Sequence, residues 1–233
     1  MTDQPIPPVE VFTTMNFEVK LTRVIDNILV PSHLRFSADF EPLDETTEDD
    51  IDRSFAKIRY WLDNIVSRCL VFSHDNDAAL AMFIDENGHP RTGNVVMLTP
   101  DEPDDQHLCA LFQAKLTALS GHTIEFGPIE VKSDNVMGLT FTFVGDPDEV
   151  LPGVSDWVGE RSYFADPWWN RDDGSTLDAV PADDADLTVK PSWAFTFEFL
   201  DRPRHAATPS SEKTVVVRPQ FRPLVIDGGK EEE

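Results

Sequence analysis

Residues capable of chemistry are spread through this 233-residue sequence, and few stand at the spacings chemistry needs. His74 and Asp75 are adjacent, the pairing by which some phosphohydrolases hold a metal, but those enzymes are all-helical and this pair falls between expected strands. Glu130, Val131 and Lys132 match the Glu-x-Lys end of a nuclease strand, where the carboxylate would hold a metal and the lysine would position water. A working version needs another carboxylate on a neighbouring strand, and the nearest acids, Asp101, Asp104 and Asp105, open a helix. Asp166, Asp172, Asp173, Asp183, Asp184 and Asp186 offer oxygen ligands to Ca²⁺ without the Asp-x-Asp-x-Asp-Gly ladder that orders them in a helix-loop-helix site. The histidines, His33, His74, His89, His107, His122 and His205, never reach the His-x-x-x-His spacing that sets two imidazoles on one helical face. Gly-x-Ser-x-Gly elbows, Walker loops and dinucleotide fingerprints do not occur. The expectation is a protein without catalytic residues, metal or cofactor.

Charge narrows the partners. A formal net charge of -24 repels phosphate, so bare nucleic acid and anionic membranes are disfavoured. Solubility in a proteome rich in Asp and Arg, adaptation to high salt, and mimicry of nucleic acid all fit that charge. Cys69 and Cys109 each lie in an expected helix and read as small core residues, which fits a reducing compartment. MTDQPIPPVEVF has neither a basic nor an apolar leader region, and no run reaches the length of a membrane span, so a cytoplasmic protein, or a virion protein if viral, is expected.

The elements that would position such residues follow from periodicity. Residues 1–10 form a Pro-rich lead, and 11–144 an α+β core domain. Phe17, Val19 and Leu21, then Leu34, Phe36, Ala38 and Phe40, alternate with polar residues as half-buried strands do. Ile51, Phe55, Ile58, Leu62, Ile65, Val66 and Cys69 repeat at three and four, predicting a helix over 47–69 capped by Thr47 with Asp50 reaching back. Residues 79–84 and 94–98 read as a hairpin, and Thr99, Pro100, Asp101 and Glu102 as the start of a second helix that ends at Gly121. Strand 123–131 then pairs with 137–144. This order is that of a ferredoxin-like split βαββαβ core with additional antiparallel strands and a long acidic insertion.

Residues 145–191 are that insertion, in which Trp157, Trp168 and Trp169 alternate with Asp172, Asp173 and later acids; 192–207 return as a strand with Trp193, Phe195, Phe197 and Phe199 on one face. Residues 208–233 form an extended arm whose prolines suit an edge strand or a run across a neighbouring subunit. The sequence therefore predicts a non-enzymatic interaction or assembly protein, at the level of composition a viral structural or accessory one. It would contact a protein partner or a second copy through Trp157, Trp168, Trp169, Asp172, Asp173, Arg218, Phe221 and Arg222. An acidic inhibitor that mimics nucleic acid and a metal-dependent phosphoesterase using Glu130 are the alternatives.

Overall fold

In the computed structural model, residues 13–43, 46–86, 88–91, 95–121, 123–135 and 138–200 are described. The alternating segments form one long antiparallel hairpin, β1 (Thr13–Ile25) and β2 (Ile28–Pro42), in register from Thr13 opposite Phe40 to Ile25 opposite Ile28. Its two-residue turn, Asp26 and Asn27, has φ of 50° and 62°, the left-handed pair that matches the twist of the flanking strands. Val19, Leu21, Leu34, Phe36 and Ala38 point inward, while Lys20 and Arg35 stay exposed on the other face.

Thr47 caps α1 (Glu48–Trp61) as the sequence predicts, accepting from the Asp50 amide and donating its hydroxyl to Asp50 Oδ2 at 2.6 Å. The helix continues as a π turn over Leu62–Val66 and then stops, because Arg68 adopts φ of 76°. Next comes β3 (Leu70–Ser73), an apolar run that carries no alternation because both its faces are covered. Residues expected as the first hairpin strand form α2 (Asp77–Phe83) instead, capped by Asn76 and rich in Ala, Leu and Met, all good helix formers. β4 (Val96–Thr99) lies parallel to β3, which is parallel to β1. The second helix, α3 (Asp105–Ser120), starts six residues after Thr99, with Asp104 as its cap; Pro103 keeps Glu102 out of the helical region. Gly121 ends it in the left-handed conformation. β5 (Ile124–Ser133) pairs antiparallel with β2, and β6 (Phe141–Phe143) antiparallel with β5.

The result is a mixed α+β structure with a six-stranded sheet in the order β4-β3-β1-β2-β5-β6. The ferredoxin-like arrangement is not confirmed: its central antiparallel hairpin is replaced by α2 between two parallel strands. Phe17 and Phe36 of the sheet stack at 4.9 Å, Phe36 on Phe112 of α3 at 4.5 Å, and Trp61 of α1 meets Phe112 edge-on at 5.5 Å. Both long helices thus cover one face of the sheet.

Residues 145–191 do not stand apart from this core. Leu151, Val154, Trp157, Trp168, Trp169 and Leu177 belong to the same buried cluster as the sheet. A short helix, α4 (Val154–Trp157), carries the first tryptophan, and Thr176 closes the open edge of β4, accepting from Leu98 N at 2.9 Å and donating its hydroxyl to Val96 O at 2.7 Å. Of the strand expected over 192–207, the described residues 192–200 are a run of turns and bends, and 201–207 lie outside the described residues. Its aromatics alternate because Phe195, Phe197 and Phe199 wrap the ring of Tyr60 on α1 at 6.4, 5.9 and 4.9 Å, a period-two pattern made without a sheet.

Candidate functional site

The parallel strands β1, β3 and β4 all end at one edge of the sheet, the place where open sheets containing parallel strands leave crevices between their loops. The loop after β3, His74 to Asp77, separates two concavities there. The first is an acidic groove of about 490 Å³ bordered by Asp26, Asp75, Asp77, Asp101 and Glu102. The hairpin turn is tied to it by a hydrogen bond from Asp26 N to Glu102 Oε1 at 3.2 Å. Immediately beyond that turn, Ile28 and Leu29 are 64% and 56% exposed. As consecutive residues of β2 they project to opposite faces of the hairpin, Leu29 opposite Val24, which lines the groove.

The second concavity, about 390 Å³, is mostly apolar and includes His74, Leu80, Ile84, Leu98, Trp157 and Asp178. The His74 ring has Nδ1 at 3.3 Å from the Pro100 carbonyl and Nε2 at 3.3 Å from Asp75 Oδ1, and stands edge-on to Trp157 at 5.3 Å. An imidazole so placed packs the loop against the Trp157 ring. Among the described residues, no group of three or more His, Cys, Asp or Glu side chains is arranged to hold a metal.

No family model matches the chain, and no curated protein matches it. Solved structures similar to it include two catalytic-residue mutants of Plasmodium vivax 6-pyruvoyltetrahydropterin synthase, each with a TM-score of 0.32 and 8% identity, covering 59% of this chain and 99% of the synthase chain.

The tryptophans expected at a contact surface lie inside. Trp157, Trp168 and Trp169 are buried, Trp168 donating Nε1–H to Leu98 O at 2.9 Å. Asp173 is buried too, whereas Asp172 is exposed. The reason is a cluster of charges that the sequence reading missed. Lys115, fully buried on α3, donates to the carbonyls of Trp168, Arg171 and Asp173 at 2.8, 2.7 and 2.8 Å. Arg171 donates to Asp178 Oδ1 at 2.6 Å, to Asp173 Oδ2 at 3.3 Å and to Ser175 Oγ at 2.8 Å, and lies over the Phe164 ring at 3.8 Å. Burial pushes the Lys115 ammonium down to about 7, opposed by Asp173. Burial likewise raises Asp178, and the Arg171 guanidinium opposes that rise. Every hydrogen on the Lys115 ammonium has a carbonyl acceptor, so the cluster anchors residues 164–178 to α3.

A second buried pair anchors the other end of that helix. Arg23 donates to Asp105 Oδ1 at 2.5 Å, to Ser32 Oγ at 2.9 Å and to Ser133 Oγ at 3.2 Å, joining β1, β2 and β5 to the start of α3. One signal for Lys115 was available in the sequence: a single lysine within CALFQAKLTAL, where its helical neighbours are apolar.

Other candidates stay separate. Glu130 and Lys132 lie on the exposed face of β5, opposite Ser37 and Arg35, and no second carboxylate joins Glu130 in that register. That face is instead crossed by a hydrogen bond between Glu18 and His33 at 3.0 Å and an ion pair from Arg35 to Asp134 at 3.0 Å. Asp183 pairs with Arg161 at 3.5 Å, and Asp186 accepts from the Thr188 amide and hydroxyl. Burial raises the Cys69 thiol and takes that of Cys109 up to about 12. Arg218, Phe221 and Arg222 lie outside the described residues.

Proposed function

We propose that this chain is a non-enzymatic assembly protein in which the acidic groove takes a basic, apolar segment from a second copy. The observation that carries the reading is the hairpin turn, where exposed Ile28 and Leu29 directly follow Asp26 and Asn27, which line a groove edged also by Asp75, Asp77, Asp101 and Glu102. Such a surface suits a segment that brings cations and aliphatic side chains together, because burying Ile28 and Leu29 supplies affinity while opposite charge supplies steering and register. By sequence, residues 202–226 are of this kind: Arg202, Arg204, Lys213, Arg218 and Arg222 stand against the single acid Glu212, among Val215, Val216, Val217, Phe221 and Leu224. In a chain of net charge -24, that concentration favours the tail of another copy as the partner.

Light scattering on the full chain tests the reading. Self-association should appear at low salt and weaken by about tenfold between 50 and 300 mM NaCl, as screening of exposed charges requires. The pair Ile28→Ser and Leu29→Ser, and separately Arg218→Glu with Arg222→Glu, should each yield monomer with unchanged circular dichroism. A monomer at every salt concentration, or an oligomer indifferent to both variants, overturns it.

A further inference from the structure

A third concavity, of about 410 Å³, is lined in part by Lys20, Thr22, Pro31, His33 and Arg68. Lys20 and Thr22 are two apart on β1 and so share the sheet face turned away from the core, and Lys20 lies directly opposite His33 of β2. Arg68, between the π turn and β3, sets a further cation alongside, because its backbone N–H donates to the Lys20 carbonyl at 2.5 Å.

Arg68 is the unusual residue. At φ of 76° it occupies left-handed space that glycine enters freely and an arginine enters only with strain. Stopping the helix there requires the conformation and not the guanidinium. The side chain is exposed, and among the described residues it has neither a hydrogen bond nor an ion pair; the same is true of the Lys20 ammonium. Strain retained where a smaller residue would relieve it points to a use for the side chain. The neighbouring acids do not neutralise these two cations. Glu18 lies 3.6 Å from Arg35 and 3.0 Å from the His33 ring, and Asp134, which also borders the concavity, lies 3.0 Å from Arg35 and 3.2 Å from His33. The half-buried Thr22 hydroxyl likewise has no partner among the described residues. Two unpaired cations beside an unused hydroxyl donor call for a compact dianion.

We infer that this concavity binds a small phosphomonoester, with Arg68 and Lys20 meeting its two negative charges and the Thr22 hydroxyl donating to a further oxygen. The guanidinium fork matches two phosphate oxygens at once, and the ammonium acts as a point charge on the same group. The volume is that of a small-molecule site and exceeds what one phosphate fills, so the phosphate belongs to a larger molecule that covers Pro31. A net charge of -24 restricts its size. A polyanion would meet the acidic surface along its length, whereas a lone dianion is screened at physiological salt from acids more than about 8 Å away. The inference is independent of the assembly reading, since Lys20 is six residues, about 20 Å, along the hairpin from Asp26 at the acidic groove.

Phenyl phosphate is the probe. It is titrated into the full chain at pH 7.5, where it is a dianion, in 0.15 M NaCl, with backbone amide resonances as the readout and benzyl alcohol and benzoate as neutral and singly charged controls. Saturable shifts of the Thr22, His33 and Arg68 amides are expected, with benzyl alcohol producing none and benzoate binding at least about tenfold more weakly. Lys20→Gln and Arg68→Gly should each weaken phenyl phosphate binding by about tenfold. Because glycine suits φ of 76°, Arg68→Gly should do so with an unchanged or higher melting temperature, which separates loss of the ligand from loss of the fold. Lys57→Gln with Arg59→Gln, on α1 across the sheet, should change binding by less than about twofold. Arg218→Glu with Arg222→Glu should leave it unchanged even where it abolishes self-association. An unmoved Arg68 amide, equal binding of benzoate, equal loss from the α1 pair, or a melting temperature lowered by more than about 4 °C in Arg68→Gly overturns the proposal.

Discussion

Lys115→Met removes the ammonium at the centre of the buried charge cluster while retaining most of the side chain's length. The carbonyls of Trp168, Arg171 and Asp173, each now 2.7–2.8 Å from Nζ, lose their donor, and Asp173 loses one of its two cations. An unsatisfied buried acceptor costs about 1–3 kcal/mol, and removing one partner of a buried ion pair costs about 3–5 kcal/mol. The carbonyls all belong to one loop that can turn toward water, and methionine adds apolar contact, so the terms do not sum. A net loss of about 3–5 kcal/mol is expected. Urea unfolding followed by tryptophan fluorescence reads it well, because Trp157, Trp168, Trp169 and Trp193 all lie in or beside the anchored segment. Limited proteolysis should show cleavage within residues 160–200 before global unfolding. The effect also depends on pH. Burial holds the folded pKa near 7, below the ordinary 10.5, so the unfolded chain binds more protons between those values. Wild-type stability relative to Lys115→Met should therefore rise as pH goes from 7 to 9 and level off below 7. A loss under about 1 kcal/mol, with protease protection unchanged, would refute the claim that this ammonium anchors the segment.

Thr47→Ala should cost about 1 kcal/mol in thermal or urea unfolding, and NMR titration should show the Asp50 carboxyl moving up toward its ordinary range, since the Thr47 hydroxyl is the main cause holding it down. Gly88 has φ of 76°, and a Cβ there would stand 2.3 Å from Ala179 Cβ, so Gly88→Ala should lower stability by about 1–3 kcal/mol and shift the NMR signals of residues 178–180. Cys69 and Cys109, whose burial disfavours the thiolate, should react with a thiol reagent at the rate of unfolding, and a fast reaction in the native state would contradict their placement in the core.

Much of the fold was legible because the signals were periodic and local. The alternation from Phe17 to Phe40, the Thr47 cap, the stripe from Ile58 to Val66 and the Gly121 stop are all where the sequence places them. What escaped was set by tertiary context. Leu70–Ser73 lacks alternation because it is covered on both faces, and Ala79 to Phe83 reads equally as a strand until Asn76 is recognised as a cap. The tryptophans looked available because acids surround them in sequence. Asp173 and Asp178 turn inward to Arg171 instead, and the pairing of distant charges carries no periodic signature. Of the candidate site, Asp75, Asp101 and Glu102 stand out individually in the sequence while Asp26 and Asp77 do not; their gathering at the ends of β1, β3 and β4 depends on two parallel pairings that leave no periodic signal.

The closure of β4 by Thr176 also sets an order of events during synthesis. Val96 and its partner are 80 residues apart, and Lys115 is 58 residues from Asp173. On the ribosome, β4 and α3 emerge well before either partner exists. Until then the nascent chain presents a bare sheet edge beside an uncompensated lysine, features that recruit chaperones and promote pairing between chains. Messages truncated between codons 120 and 175 should therefore yield products that aggregate or are degraded.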